Sequence, residues 1–104
     1  MGNVRNYNKT VVYKIVDKRY NITIFVGHTT NLYEKKKNIK RNKRGINIFV
    51  GEQGGWKNFE ILYVECFPQC SCKEHAEALT YRVSRDLGVP DENELENVFK
   101  VYSK

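Results

Sequence analysis

The stretch "FVGHTTNLYEKKKNIKR", Phe25–Arg41, passes from an extended apolar run through a polar corner into a basic segment with helical spacing. Phe25 and Val26 close the β-branched and aromatic run "NITIFVG" (Asn21–Gly27), a composition that fits a pleated, half-buried strand. Gly27 is expected to permit a tight turn. The polar "HTTN" that follows offers Thr30 and Asn31, whose short side chains accept from the backbone N–H groups at the start of a helix. Leu32, Lys35, Lys36 and Ile39 then recur at helical spacing, which predicts a helix from about Asn31 to about Arg44, narrowly apolar and broadly cationic.

On the N-terminal side, "TVVYKIV" (Thr10–Val16) is a second run of the same kind, and only the polar "DKRY" separates it from Asn21, so the two runs predict a hairpin. On the C-terminal side, "GINIFVGEQGGW" (Gly45–Trp56) reads two ways. Ile46, Phe49 and Val50 suit one face of a helix, the β-branched run suits a strand, and Gly54-Gly55 ends either. "NFEILYVEC" (Asn58–Cys66) predicts a third strand. Its four adjacent apolar residues, Ile61 to Val64, imply cover on both faces and a central position. Ser71 with Glu74 spells a capping box for a helix running to Gly88, with Pro90 beyond as a stop. Asp91 with Glu94 repeats the signature for an additional C-terminal helix over 91–102 that carries Leu95, Val98, Phe99 and Tyr102 on one face. The expected class is α+β, a small three-stranded antiparallel sheet flanked by helices.

At 104 residues the chain has the size of a single domain, and 40% hydrophobic with 12% aromatic residues is a globular composition. No apolar run approaches the length that crosses a bilayer, "MGNVRNYNKT" has no hydrophobic stretch of a secretory signal, and Asn6 stands where myristoylation would need Ser or Thr. Three cysteines, an odd number, fit reduced thiols. These features predict an intracellular protein of the cytoplasm or nucleus with no membrane partner. The net charge is +6 and it is concentrated: Lys35–Arg44 holds seven basic residues and no acid, against eleven basic and twelve acidic residues elsewhere. Such a patch is a footprint for polyphosphate, a nuclear-targeting run or a solvated helix face.

Taken in order, these blocks resemble the GIY-YIG endonuclease domain. "VVYKIV" resembles the strand of the first motif with its tyrosine at Tyr13, and "IFVGHTTNLYEKKKNIK" the second motif and its helix. "GGWKNFEILYVE" is similar to the family's entry into the third strand, and "CKEHAEALTYRV" to its glutamate-bearing helix. The likeness spans about Lys9 to Asp86, and the Gly-Gly-Trp form resembles copies encoded by large DNA viruses, which makes a virus-associated protein part of the expectation. The resemblance implies one-metal phosphodiester hydrolysis, in which a tyrosine pair and an arginine position water and phosphate and one glutamate holds the cation. A metal offsets charge on the leaving oxygen, an arginine fork bridges phosphate oxygens, and a hydroxyl relays a proton.

Position by position, this chain departs from that pattern. Tyr13 keeps the first tyrosine. Phe25 stands for the second and has no hydroxyl, Lys35 stands for the arginine and lacks the planar fork, Ile39 stands for a histidine, and Leu79 for the metal-binding glutamate. With four of five chemical positions altered, no catalytic residue, metal or other cofactor is expected. What remains is a basic rim, so Lys35, Lys36, Lys40, Arg41, Lys43 and Arg44 are expected to grip the phosphate backbone of nucleic acid, with DNA as the expected partner and little sequence selectivity. The apolar face of the C-terminal helix either closes the monomer's own core or pairs with a second copy, and a homodimer through it is the expected second contact.

Two rival readings stay open. A diverged nuclease would need Glu77 as ligand, with His28 as the candidate base. A protein-interaction module would use the basic run for nuclear targeting. Cys66, Cys70, Cys72 and His75 supply zinc-binding atom types, but C-x3-C-x-C-x2-H is not a standard zinc spacing. Trp56, between Gly55 and Asn58, reads as a structural plug rather than a base-stacking residue.

Overall fold

In the computed structural model, which describes residues 7–43 and 45–89, Thr10–Asp17 is strand β1, Ile22–Thr29 is β2 and Phe59–Phe67 is β3. They form one antiparallel sheet in the order β2-β1-β3. The middle strand is therefore β1, which corrects the central position predicted for β3. Val12, Tyr13, Ile15 and Val16 are all buried, so β1 is covered on both faces. β3 buries Phe59, Ile61 and Phe67 but leaves Glu60, Tyr63 and Glu65 exposed. Its apolar run is broken by a bulge: Val12 pairs with Glu65 and Tyr13 with Tyr63, skipping Val64. Contiguous apolar residues thus reflect β propensity here and not a second covering layer.

The β1–β2 turn, Lys18–Asn21, closes with Asn21 in the left-handed region at φ 55°, which asparagine tolerates better than most residues. Asp17 at its corner is fully buried and takes both ends of the Arg19 fork, Nε on Oδ1 at 3.0 Å and Nη2 on Oδ2 at 2.8 Å. Arg19 Nη2 also donates to Gln53 Oε1 at 3.3 Å, and the Lys18 N–H donates to the Asn58 carbonyl at 2.8 Å. The hairpin tip is thereby pinned to the segment that leads into β3.

Helix α1 spans Leu32–Arg41, with the Asn31 side chain accepting the Glu34 N–H at 3.1 Å as predicted for a cap. It ends before the predicted Arg44. Ile39 is its buried residue, Asn42 is already extended, and the Asn42 carbonyl is taken by the Asn47 amide. Beyond Ile39 the helix has no apolar face to bury before Ile46. The ambiguous segment resolves as a helix, α2 (Ile46–Glu52), with Ile46, Phe49 and Val50 buried; Gly54 and Gly55, at φ 100° and 94°, then lead into a 3-10 turn at Trp56–Asn58.

Helix α3 spans Lys73–Asp86 and buries Ala76, Leu79, Thr80 and Val83. The capping box predicted at Ser71 does not form. Cys72 holds the cap position without a side-chain bond, and the Ser71 N–H donates to His75 Nδ1 at 3.4 Å. The predicted stop at Gly88 is a Schellman turn: Gly88 (φ 76°) donates to the Arg85 carbonyl at 3.0 Å and Val89 to the Ser84 carbonyl at 2.9 Å. Sheet and helices share one apolar core, an α+β architecture. Among the described residues no helix is long and apolar enough to cross a membrane. The additional helix predicted over 91–102, and the dimer contact assigned to it, lie outside the described residues.

Candidate nucleic-acid interface

The five positions that the nuclease resemblance singles out fall largely in the core. Tyr13, only 2% exposed, pairs with Gly27 across β1 and β2, and its ring lies over that glycine. A Cβ at position 27 would stand 2.5 Å from Tyr13 Oη, 2.7 Å from Cζ and 2.9 Å from Phe25 Cε2. Gly27 is therefore a strand residue that makes room for an aromatic ring, and not the hinge of the tight turn predicted there. Phe25 is half-buried beside Tyr13, with ring centroids 6.2 Å apart at 45°. Ile39 of α1 (8% exposed) and Leu79 of α3 (6%) belong to the same core cluster as Tyr13, and Phe25 packs against it. Lys35 is half-buried on the flank of α1.

Glu77 is two residues from Leu79 and so about 200° round the helix. Leu79 packs inward and Glu77 is exposed. His28 is half-buried in β2, opposite Val12, rather than at the surface of a turn. The sulfur-rich segment does not converge. Cys70 is buried with its thiol toward the Cys72 carbonyl at 3.5 Å, while Cys66 and Cys72 are exposed. Tyr63 is exposed on β3, and the neighbouring Cys66 side chain raises its phenol pKa above the ordinary value, with desolvation adding in the same direction. Among the described residues no group of three or more His, Cys, Asp or Glu side chains is placed to hold a metal ion.

The basic residues divide. Tyr33, Lys36, Lys37 and Lys40 recur at three- and four-residue spacing and share one face of α1, whereas Lys35, five residues from Lys40, lies about 140° round the helix. Arg41 and Lys43 are exposed, Lys43 beyond the end of the helix, and Arg44 lies outside the described residues. Among the described residues the six cations from Lys35 to Lys43 make no ion pair; the pair present is Asp17–Arg19. Two aromatic rings belong to the same face. Lys37 Nζ sits 4.2 Å from the centroid of Tyr33, and Lys40 Nζ 5.5 Å from that of Trp56.

Trp56 is held from behind. Its indole N–H donates to Asn47 Oδ1 at 2.8 Å, and its ring meets Phe59 edge-on at 6.5 Å. The bond from the Asn47 amide to the Asn42 carbonyl ties that support to the end of α1. Comparison with protein-family models, with curated proteins and with solved structures finds no match to the chain.

Reading the sequence as one basic run missed this aromatic component. The Tyr33–Lys37 spacing was a visible signal for it. The approach of Trp56 to Lys40 was not, because it crosses sixteen residues of chain.

Proposed function

We propose that this chain is a non-catalytic nucleic-acid-binding domain that holds the phosphate backbone through the cationic face of α1, on a scaffold resembling that of GIY-YIG nucleases. One observation carries the reading: Lys36, Lys37, Lys40 and Arg41, with Lys43 just beyond, lie close together along the chain without an ion-pair partner among the described residues. Lysines that make no ion pair among the described residues keep their attraction for phosphate, and each contact releases condensed counterions. The side chains at the nuclease-like positions support the absence of catalysis. Phe25, Ile39 and Leu79 carry no group that moves a proton or binds a cation, and Ile39 and Leu79 fill core volume.

Fluorescence anisotropy with a labelled oligonucleotide across a KCl series tests the grip. Four neutralised phosphates give a slope of log K against log salt of about −3.6 on duplex and about −2.8 on a single strand. Affinity indifferent to salt, or no binding at low salt, removes the proposal. Plasmid incubated with excess protein and Mg²⁺ or Mn²⁺ is expected to stay supercoiled. Nicking that disappears in Glu77→Ala would replace this reading with a diverged nuclease.

A further inference from the structure

Resting on that reading, we infer that the face formed by Tyr33, Lys36, Lys37, Lys40 and Trp56 is a stacking track for nucleic acid with unpaired bases, so that the domain prefers single strands to duplex. Binding phosphate alone needs cations, and a duplex presents its bases only by their edges in the grooves. This face carries the exposed Tyr33 ring among its lysines and, beside Lys40 at its end, the half-buried Trp56 ring. Tyr33 remains 68% exposed even with Lys37 over it, although an apolar ring of that size gains by burial. Among the described residues Tyr33 is not one of the hydrophobics packed against the core. Trp56 is fixed by Asn47 and Phe59, so it loses little conformational freedom on meeting a ligand.

The spacing suits a strand. Tyr33 and Lys40 are seven residues apart, about 10 Å along the helix axis. That distance corresponds to roughly three nucleotides at the stacked rise of about 3.4 Å. Lys36 and Lys37 fall between the two ends, where the intervening phosphates would run. Alternating cations and aromatic rings along a groove or ridge is how sequence-tolerant single-strand binding is built, because every base has a π face.

The chain has one tryptophan and seven tyrosines, so emission excited at the red edge of the indole band, where tyrosine does not absorb, reports on Trp56 alone. Titrating the protein at low salt with oligo(dT), with oligo(U) and with a duplex of equal length separates the possibilities. Trp56 emission is expected to be quenched by one or both single strands and to change little with duplex, and comparing oligo(dT) with oligo(U) distinguishes DNA from RNA. Tyr33→Ala is expected to weaken single-strand binding roughly ten-fold while leaving duplex affinity within about two-fold, and Tyr33→Phe to retain binding, since stacking uses the ring. An unchanged melting curve for Tyr33→Ala shows that the loss is not one of folding. If single strands and duplex bind alike and Tyr33→Ala weakens neither selectively, the stacking track is wrong and phosphate gripping stands. If no nucleic acid binds at low salt, phosphate gripping fails and the track with it.

Discussion

Gly27→Ala tests the packing of the region where a nuclease would keep its chemistry. Carbon atoms sit comfortably at about 3.5–4.0 Å, and the added methyl would meet Tyr13 Oη at 2.5 Å, Tyr13 Cζ at 2.7 Å and Phe25 Cε2 at 2.9 Å. The Tyr13 ring cannot swing aside freely, because it is nearly fully buried on the central strand. Over-packing of this kind costs about 1–3 kcal/mol, and three close contacts on two rings place it near the upper end. Alanine offsets about 0.4–1 kcal/mol by restricting the unfolded chain. The clash wins, with a net loss of about 2 kcal/mol, equivalent to roughly 8–16 °C in melting temperature for a domain of this size. Circular dichroism during thermal and urea unfolding measures it. Removing the nearest atom with Tyr13→Phe relieves part of the strain, so the double-mutant cycle should show a coupling of about 0.5 kcal/mol or more. An unchanged or higher midpoint for Gly27→Ala, or a cycle without coupling, would mean that the ring does not rest on the glycine.

Four further outcomes follow from the same geometry. Gly51 lies in α2 with nothing within 4 Å of an added Cβ, so Gly51→Ala should raise stability by about 0.5–1 kcal/mol in the same melts, the opposite sign to Gly27→Ala. Arg19→Ala leaves the buried Asp17 carboxylate without its fork and should cost about 1–3 kcal/mol, read from urea midpoints; a neutral result would show that the hairpin tip does not depend on that pair. Lys36→Ala and Lys40→Ala should each reduce the steepness of the salt dependence by about 0.9, whereas Lys35→Ala, on the other flank of α1, should change it little. Asn47→Ala removes the acceptor for the Trp56 indole N–H and should lower stability by about 1 kcal/mol and shift Trp56 emission, measured by unfolding and steady-state fluorescence.

Local chemistry was legible where it acts over a few residues. The β-branched run at Thr10–Val16, the Asn31 cap and the Gly88 stop act within one turn or one hairpin and stand where the sequence places them, while the run at Asn21–Gly27 forms a strand that continues to Thr29. The helical phase of Ile46, Phe49 and Val50 was present too, although β-branched composition competed with it until the core chose the helix. The larger misreadings concern cooperation between segments apart in sequence, whereas the failed Ser71 cap and the early end of α1 are local. Strand order depends on which strand receives partners on both edges, and the apolar letters of Ile61–Val64 carry no record of that. The Ser71 cap lost to a histidine ring one turn away, and Gly27 owes its role to a tyrosine fourteen residues earlier.

For the candidate interface, the sequence alone determined the sign and concentration of the charge, because side-chain ionisation and chain proximity need no fold. Helical spacing set which of those cations share a face with Tyr33, and only the tertiary structure brought the Trp56 ring to them. A helix turns about 100° per residue, so neighbours in sequence part company, while Trp56 meets Lys40 because α2 and the turn after it fold back against the end of α1.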